Sequence, residues 1–173
     1  MSESATPDVS IRPARPSDVQ EIGRIQVDAW VGSLGERLGR KRHDAFDREA
    51  ITQGWADAIA KPPTPGHQVF VATCDGDVVG FTAVAPPSTI VALEVDTGRR
   101  RRGHGSRLLA AAADHLRKNG GSEMKLWCLE QDTLRADFLA GAGFAESGMS
   151  RELEGPGFAI PEKLWHASLV DAS

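Results

Sequence analysis

The stretch Thr89-Ile90-Val91-Ala92-Leu93-Glu94-Val95-Asp96-Thr97-Gly98-Arg99-Arg100-Arg101-Arg102-Gly103-His104-Gly105-Ser106 changes character twice. It begins as a mostly apolar strand, Thr89 to Val95, and opens a helix, Ser106 to Asn119, whose Leu108, Leu109, Ala112 and Leu116 recur on one face. Four arginines and three glycines lie between. Backbone N–H groups at a helix start have no intrahelical partner and the dipole is positive there, so a diphosphate can accept several bonds at once. Glycine lets the chain come close.

Upstream, Val9 to Arg12 reads as a first strand, and Pro16-Ser17-Asp18 supplies capping chemistry for a helix with Val19, Ile22, Ile25, Gln26, Ala29 and Trp30 at helical spacing. After Trp30 the chain turns glycine-rich and basic, through Gly32, Gly35, Gly39 and Arg40-Lys41-Arg42-His43, which predicts a loop. Asp47 would cap a second helix carrying Ile51, Trp55 and Ile59. Gln68–Thr73 and Val78–Val84, joined by Asp75-Gly76-Asp77, form the clearest hairpin signal. Downstream, Asn119-Gly120-Gly121 stops the helix, Met124–Leu129 is a strand with Trp127 in its core, and Thr133–Ala142 is a short helix. Ala145–Leu153 and Lys163–Leu169 close as a strand pair. This order predicts an α/β (α+β) fold: a mixed, mostly antiparallel sheet of six to seven strands with helices on both faces. Residues 1–8 read as a disordered tail and residues 9–170 as one domain.

At 173 residues the chain can bury roughly 70% of its unfolded surface without a staple. The net charge of -4 argues against a dedicated nucleic-acid binder, despite the arginine run. Cys74 and Cys128 sit in separate strand segments and lack metal or redox spacing, so both read as reduced core thiols. His43 and His67 likewise lack metal spacing, and no metal is expected. Met1 to Asp8 lacks a basic start followed by an apolar run, and no apolar stretch approaches the ~18 residues of a span. The expected setting is cytoplasmic, without membrane association. A homodimer is compatible with all of this.

A G-x-G after a strand is common by itself. Here Leu93-x-Val95, then Arg100, Gly103 and Gly105, then Leu108-Leu109, resembles the acetyl-coenzyme A signature of the GNAT superfamily of N-acetyltransferases, (Gln/Arg)-x-x-Gly-x-(Gly/Ala). The resemblance extends over nearly the whole chain, from Ala29-Trp30 through the hairpin to Gly143-Phe144. It implies direct attack of a primary amine on acetyl-coenzyme A in a ternary complex. It also implies that the backbone of Leu93 and Val95 pairs with the pantetheine amides, and that Arg100, Arg101, Arg102, Gly103, His104, Gly105 and Ser106 hold the pyrophosphate. Asp132 falls where many relatives have a pantetheine-contacting asparagine; a helix cap is the other reading.

An amine with a pKa near 10.4 is protonated at pH 7, and freeing it costs about 4.6 kcal/mol. Glu94, a carboxylate interrupting an apolar strand, is the candidate base, because an ionised group there is expensive unless paired or functional. Strict alternation would put it on one face with Ile90 and Ala92, opposite Thr89, Val91, Leu93 and Val95. A water held by Thr89 or Ser33, or the Glu36 carboxylate, are alternatives. The chain contains no tyrosine, and Leu139 follows Phe138 where the resemblance implies a tyrosine acid. That departure leaves room for a catalytically weak acyl-coenzyme A-binding sensor or partner module. Trp30, Ser33 and Leu34 resemble the Trp-x-x-Ser-Tyr corner that faces the acceptor in one branch of the superfamily. The acidic balance, with Glu36, Asp44 and Asp47 near this corner, suits a small-molecule or peptide amine.

Overall fold

The structure, a computed structural model, describes residues 5–39, 45–155 and 158–171. Its elements are β1 (Val9–Pro13), α1 (Val19–Leu38), α2 (Arg48–Ala60), β2 (Gln68–Cys74), β3 (Asp77–Ala85), β4 (Thr89–Val95), α3 (His104–Lys118), β5 (Glu123–Leu129), α4 (Thr133–Gly141), β6 (Ala145–Gly155) and β7 (Phe158–Ser168). The seven strands lie in the order β1-β2-β3-β4-β5-β7-β6. All neighbours are antiparallel except β4 and β5, which are joined through the α3 crossover and run parallel. The predicted mixed sheet is therefore what forms.

Local chemistry explains most boundaries. Asp75 (φ 50°) and Gly76 (φ 86°) both adopt the left-handed conformation that a two-residue hairpin needs between β2 and β3. The Asp47 side chain accepts the Ala50 N–H at 3.0 Å and starts α2. Ahead of α1, buried Asp18 accepts Arg12 Nη1 at 2.7 Å and the Arg15 N–H at 2.7 Å, fastening β1 to the helix start.

The sheet buries both faces. One core joins Ile90 and Leu93 of β4 to Leu108, Leu109, Ala112 and Leu116 of α3, to Met124, Leu126 and Cys128 of β5, and to Leu139. The other packs Ile22 and Ile25 of α1 on Val69, Val71, Phe81 and Ala83, with Trp55, Ile59 and Ala92 at its margin. Cys74 and Cys128 are both buried free thiols.

Several expectations need correction. The predicted loop after Trp30 is helical as far as Leu38, with Gly32 and Gly35 inside α1. Leu34 is only 2% exposed, so burial of the helix's inner face outweighs a helical penalty of about 1 kcal/mol per glycine. The Arg40-Lys41-Arg42-His43 run and Asp44 lie outside the described residues. Helix α3 begins at His104, two residues before the expected start, and β7 begins at Phe158 instead of Lys163. Trp127 is only half-buried: Met124, Leu126 and Cys128 alternate onto the α3 side, leaving its ring beneath the Arg151 guanidinium, 4.2 Å from the centroid.

The contact between α1 and α2 is set by Gly23, where a Cβ would collide with the Thr52 side chain. Gly23→Val should cost about 2 kcal/mol or more, lowering Tm by roughly 4–8 °C. Gly32→Ala, on the same helix with open space around it, should leave Tm unchanged or raise it. Thermal denaturation checks both; equal effects would mean that Gly23 is not a packing constraint.

Candidate active site

The site is built where β4 and β5 part. Their ladder is registered at Thr89↔Lys125, beside a 2.7 Å bond from the Lys125 N–H to the Ser88 carbonyl. Beyond that point β4 keeps β3 on one side, and β5 keeps β7. The Asp96 N–H is committed to Val79 O of β3 at 2.8 Å. Alternation along an antiparallel strand then directs the N–H and C=O of Val95 and Leu93 to the opposite edge, toward β5. That edge offers backbone donors and acceptors to an extended ligand.

A register shift in β4 decides which side chains face which way. Ala83 pairs with Ala92 while Val84 pairs with Ile90, so Val91 is the extra residue of a bulge. Ile90 joins Leu93 and Val95 on the α3 side, whereas Ala92 packs on the α1 side. The strict alternation expected from sequence, with Ile90 and Glu94 on one face, is thereby overturned for Ile90. Glu94 keeps Ala92 as its facial neighbour.

At the strand's end, Asp96 accepts Arg24 Nη2 from α1 at 3.1 Å and the Gly98 N–H at 3.4 Å. Although burial opposes it, these bonds and the Arg24 charge hold the Asp96 carboxyl below the usual carboxylate range. The chain then crosses Arg100, Arg101 and Arg102, all exposed, with Arg101 at φ 65°. Gly103, at φ 80°, is the N-cap of α3 and supplies no side chain to its free N–H groups. The first intrahelical bond runs from Arg107 N to Gly103 O at 3.1 Å, so the N–H groups of His104, Gly105 and Ser106 have no intrahelical partner. An anion fits this arrangement on both backbone and side-chain grounds. Gly105 faces α4, where a Cβ would make an ordinary van der Waals contact with the Phe138 ring at 3.4 Å.

Arg107, which the sequence reading did not single out, clamps the loop. Its Nη2 donates to the Arg102 carbonyl at 3.1 Å and to His104 Nδ1 at 2.6 Å. Burial, together with Arg107, Arg102 and Arg99, pushes the His104 imidazole below its usual pKa, so the ring is neutral at pH 7. The His104 side chain is only 2% exposed, which leaves its backbone N–H as the group it can offer a ligand.

Across the cleft, Asp132 is the N-cap of α4, accepting the Arg135 N–H at 3.1 Å. The Arg135 side chain reaches β4 and donates from Nη2 to Glu94 Oε2 at 2.8 Å; its Nε lies 3.8 Å from Asp132 Oδ2. Arg135 is the second residue missed from sequence, because 41 positions separate it from Glu94. Burial pushes the Glu94 carboxyl above the usual range, against the opposing charges of Arg135 and Arg100.

The acceptor candidates lie on α1. Ser33 donates its hydroxyl to the Ala29 carbonyl at 2.8 Å, and its own carbonyl accepts Gln131 Nε2 at 3.1 Å, which joins α1 to the β5–α4 connection. Trp30 is partly buried and packs on Phe46, with ring centroids 5.3 Å apart. Leu34 is buried, so its side chain serves packing and not an open acceptor surface. Among the described residues no group of three His, Cys, Asp or Glu could hold a metal ion, and no helix is long and apolar enough to cross a membrane.

Known proteins share this framework. The chain is 27% identical over 133 residues to YuaI of Bacillus subtilis (strain 168), an N-acetyltransferase that is itself uncharacterized, covering 72% of this chain and 73% of that protein. An N-acetyltransferase from Staphylococcus aureus Mu50 superposes with a TM-score of 0.71 at 17% identity, covering 94% of this chain and 99% of the other. The PaiA N-acetyltransferase of Thermoplasma acidophilum, in complex with coenzyme A, gives 0.69 at 14% identity, covering 93% and 99%. Residues 27–144, well over half of the chain, match the acetyltransferase (GNAT) family, and the chain belongs to that family.

Proposed function

We propose that the protein transfers an acetyl group from acetyl-coenzyme A to a primary amine by direct attack in a ternary complex. The observation that carries this reading is the open β4 edge at Leu93 and Val95, leading into the uncapped N-terminus of α3 at Gly103. A pantetheine arm would bond to the strand edge, and its pyrophosphate would take the free N–H groups with Arg100, Arg101 and Arg102 alongside. The Thermoplasma neighbour's coenzyme A supports that choice of ligand. Asp132, engaged as a cap, is available to the pantetheine only as an acceptor.

Direct transfer is favoured by the state of the thiols. Cys128 is 2% exposed and burial pushes its pKa up to about 11; Cys74 is buried as well. Neither is an activated nucleophile that could carry the acetyl group. In the proposed step the amine nitrogen attacks the thioester carbonyl, the C–N bond forms, and collapse of the tetrahedral intermediate breaks the C–S bond. Glu94 takes the amine proton. The thiolate, with a pKa near 8.5, leaves and is reprotonated by water. Trp30 and Ser33 flank the acceptor, which we take to be a cationic small molecule or a peptide amine, and the setting is cytoplasmic.

One observation favours a second reading, a weakly catalytic acyl-coenzyme A-binding module. Leu139, which stands where the resemblance implies the acid, is fully buried, and the chain has no tyrosine.

Acetyl-coenzyme A at 100-fold its Kd should stabilise the protein by about 2.7 kcal/mol, raising Tm by roughly 5–10 °C. Gly103→Glu, which strains a left-handed position and adds a like charge, should abolish that shift; retention of the full shift would overturn the proposed cofactor loop. Thiol release is then followed with spermidine, lysine amide, an aminoglycoside and a peptide with a free N-terminus. Binding without release for any of them favours the module. With the best amine, Glu94→Gln should lower kcat by about 100-fold while KM for acetyl-coenzyme A stays within about twofold. An unchanged kcat across pH removes Glu94 as the base.

A further inference from the structure

We propose that Arg135 is a positioning residue for the transfer, lodged between Asp132 and Glu94 so that Glu94 is held as an aimed carboxylate where β4 leaves β5. The inference rests on Glu94 being the base. Its grounds are geometric. Arg135 is fixed at its backbone by the Asp132 cap, 3.1 Å away, and its side chain spans to Glu94 at 2.8 Å with Asp132 Oδ2 at 3.8 Å from Nε. The Glu94 and Arg135 side chains are 12% and 22% exposed, so little water competes for the pair. Arg135 is therefore held from both ends.

The pairing divides the work of the carboxylate. Oε2 takes the Arg135 bond, and among the described residues Oε1 accepts none, which leaves it for an incoming ammonium. A guanidinium suits this role because its planar fork fixes direction as well as charge, whereas a lysine ammonium supplies charge alone. A buried carboxylate without a cation becomes protonated instead of remaining ionised.

The sign of the effect follows from the charges acting on Glu94. Burial raises its pKa, Asp132 adds to that, and Arg135 and Arg100 oppose it. Removing Arg135 takes away an opposing charge, so Glu94 ionises at higher pH. The acid limb of the kcat/KM profile should therefore move up by about 1–3 pH units in Arg135→Gln, with the rate recovering toward the wild-type plateau at alkaline pH. Arg135→Lys should keep the limb within about half a unit, with a lower plateau, because charge is retained and aim is lost.

The test combines these profiles, taken with the best amine of the panel above, with a ¹³C titration of the Glu94 carboxyl carbon in the acetyl-coenzyme A-saturated protein. The resonance is assigned by its loss in Glu94→Gln. A matching upward shift in both measurements for Arg135→Gln, and not for Arg135→Lys, is the expected result. If Glu94→Gln abolishes the limb but Arg135→Gln only scales the rate down at every pH, Arg135 is merely structural and the proposal falls while the base reading stands. If Glu94→Gln retains the limb, the base reading fails and this inference fails with it. The titration needs no acceptor, so an unmoved Glu94 resonance in folded Arg135→Gln overturns the proposal even where no amine turns over.

Discussion

A strand inside a sheet normally spends its backbone N–H and C=O groups on both neighbours, and β4 does so only at its start, after which it keeps β3 alone. The registered pair Thr89↔Lys125 and the Lys125–Ser88 bond hold β4 and β5 together at one end. The rest of the structure is organised around the parting that follows. Helix α3 connects the two strands and buries Leu108, Leu109, Ala112 and Leu116 against both of them, so the cleft cannot close by sliding without breaking that core. A bulge at Val91 then settles which β4 side chains enter that core and which face α1.

Charge is placed to suit this geometry. Arg24 of α1 secures the far end of β4 through Asp96, while Arg107 secures the glycine turn through Arg102 and His104. Both guanidiniums are spent on structure. Arg100, Arg101 and Arg102 remain exposed, so the loop presents positive charge at the surface. Neutral His104 limits the repulsion that this concentration of cations would otherwise bring to the start of α3.

On the opposite wall, Glu94, Arg135 and Asp132 place two carboxylates around one guanidinium. Asp132 also starts α4, so the electrostatics of the wall and the docking of the helix are one feature. The absence of tyrosine removes a phenolic acid from any mechanism. A thiolate of ordinary pKa tolerates that loss better than an alkoxide would, because water can reprotonate it.

Periodicity and turn chemistry made most of the framework legible: the hairpin at Asp75-Gly76, the Asp47 cap, the strand Thr89–Val95 and the glycine-arginine loop are all local signals. Local signals also misled, at Gly32 and Gly35, where burial of Leu34 keeps a helix going that composition would have ended. The sequence by itself determined the fold class and the glycine-arginine turn into α3, because both depend on residues adjacent along the chain. Tertiary structure alone decided that Val91 is bulged, that Trp127 lies under Arg151, and that Glu94 has Arg135 as its partner. These are contacts between distant segments, and no spacing rule encodes them; only packing α4 beside the open edge of β4 brings the two charges to 2.8 Å.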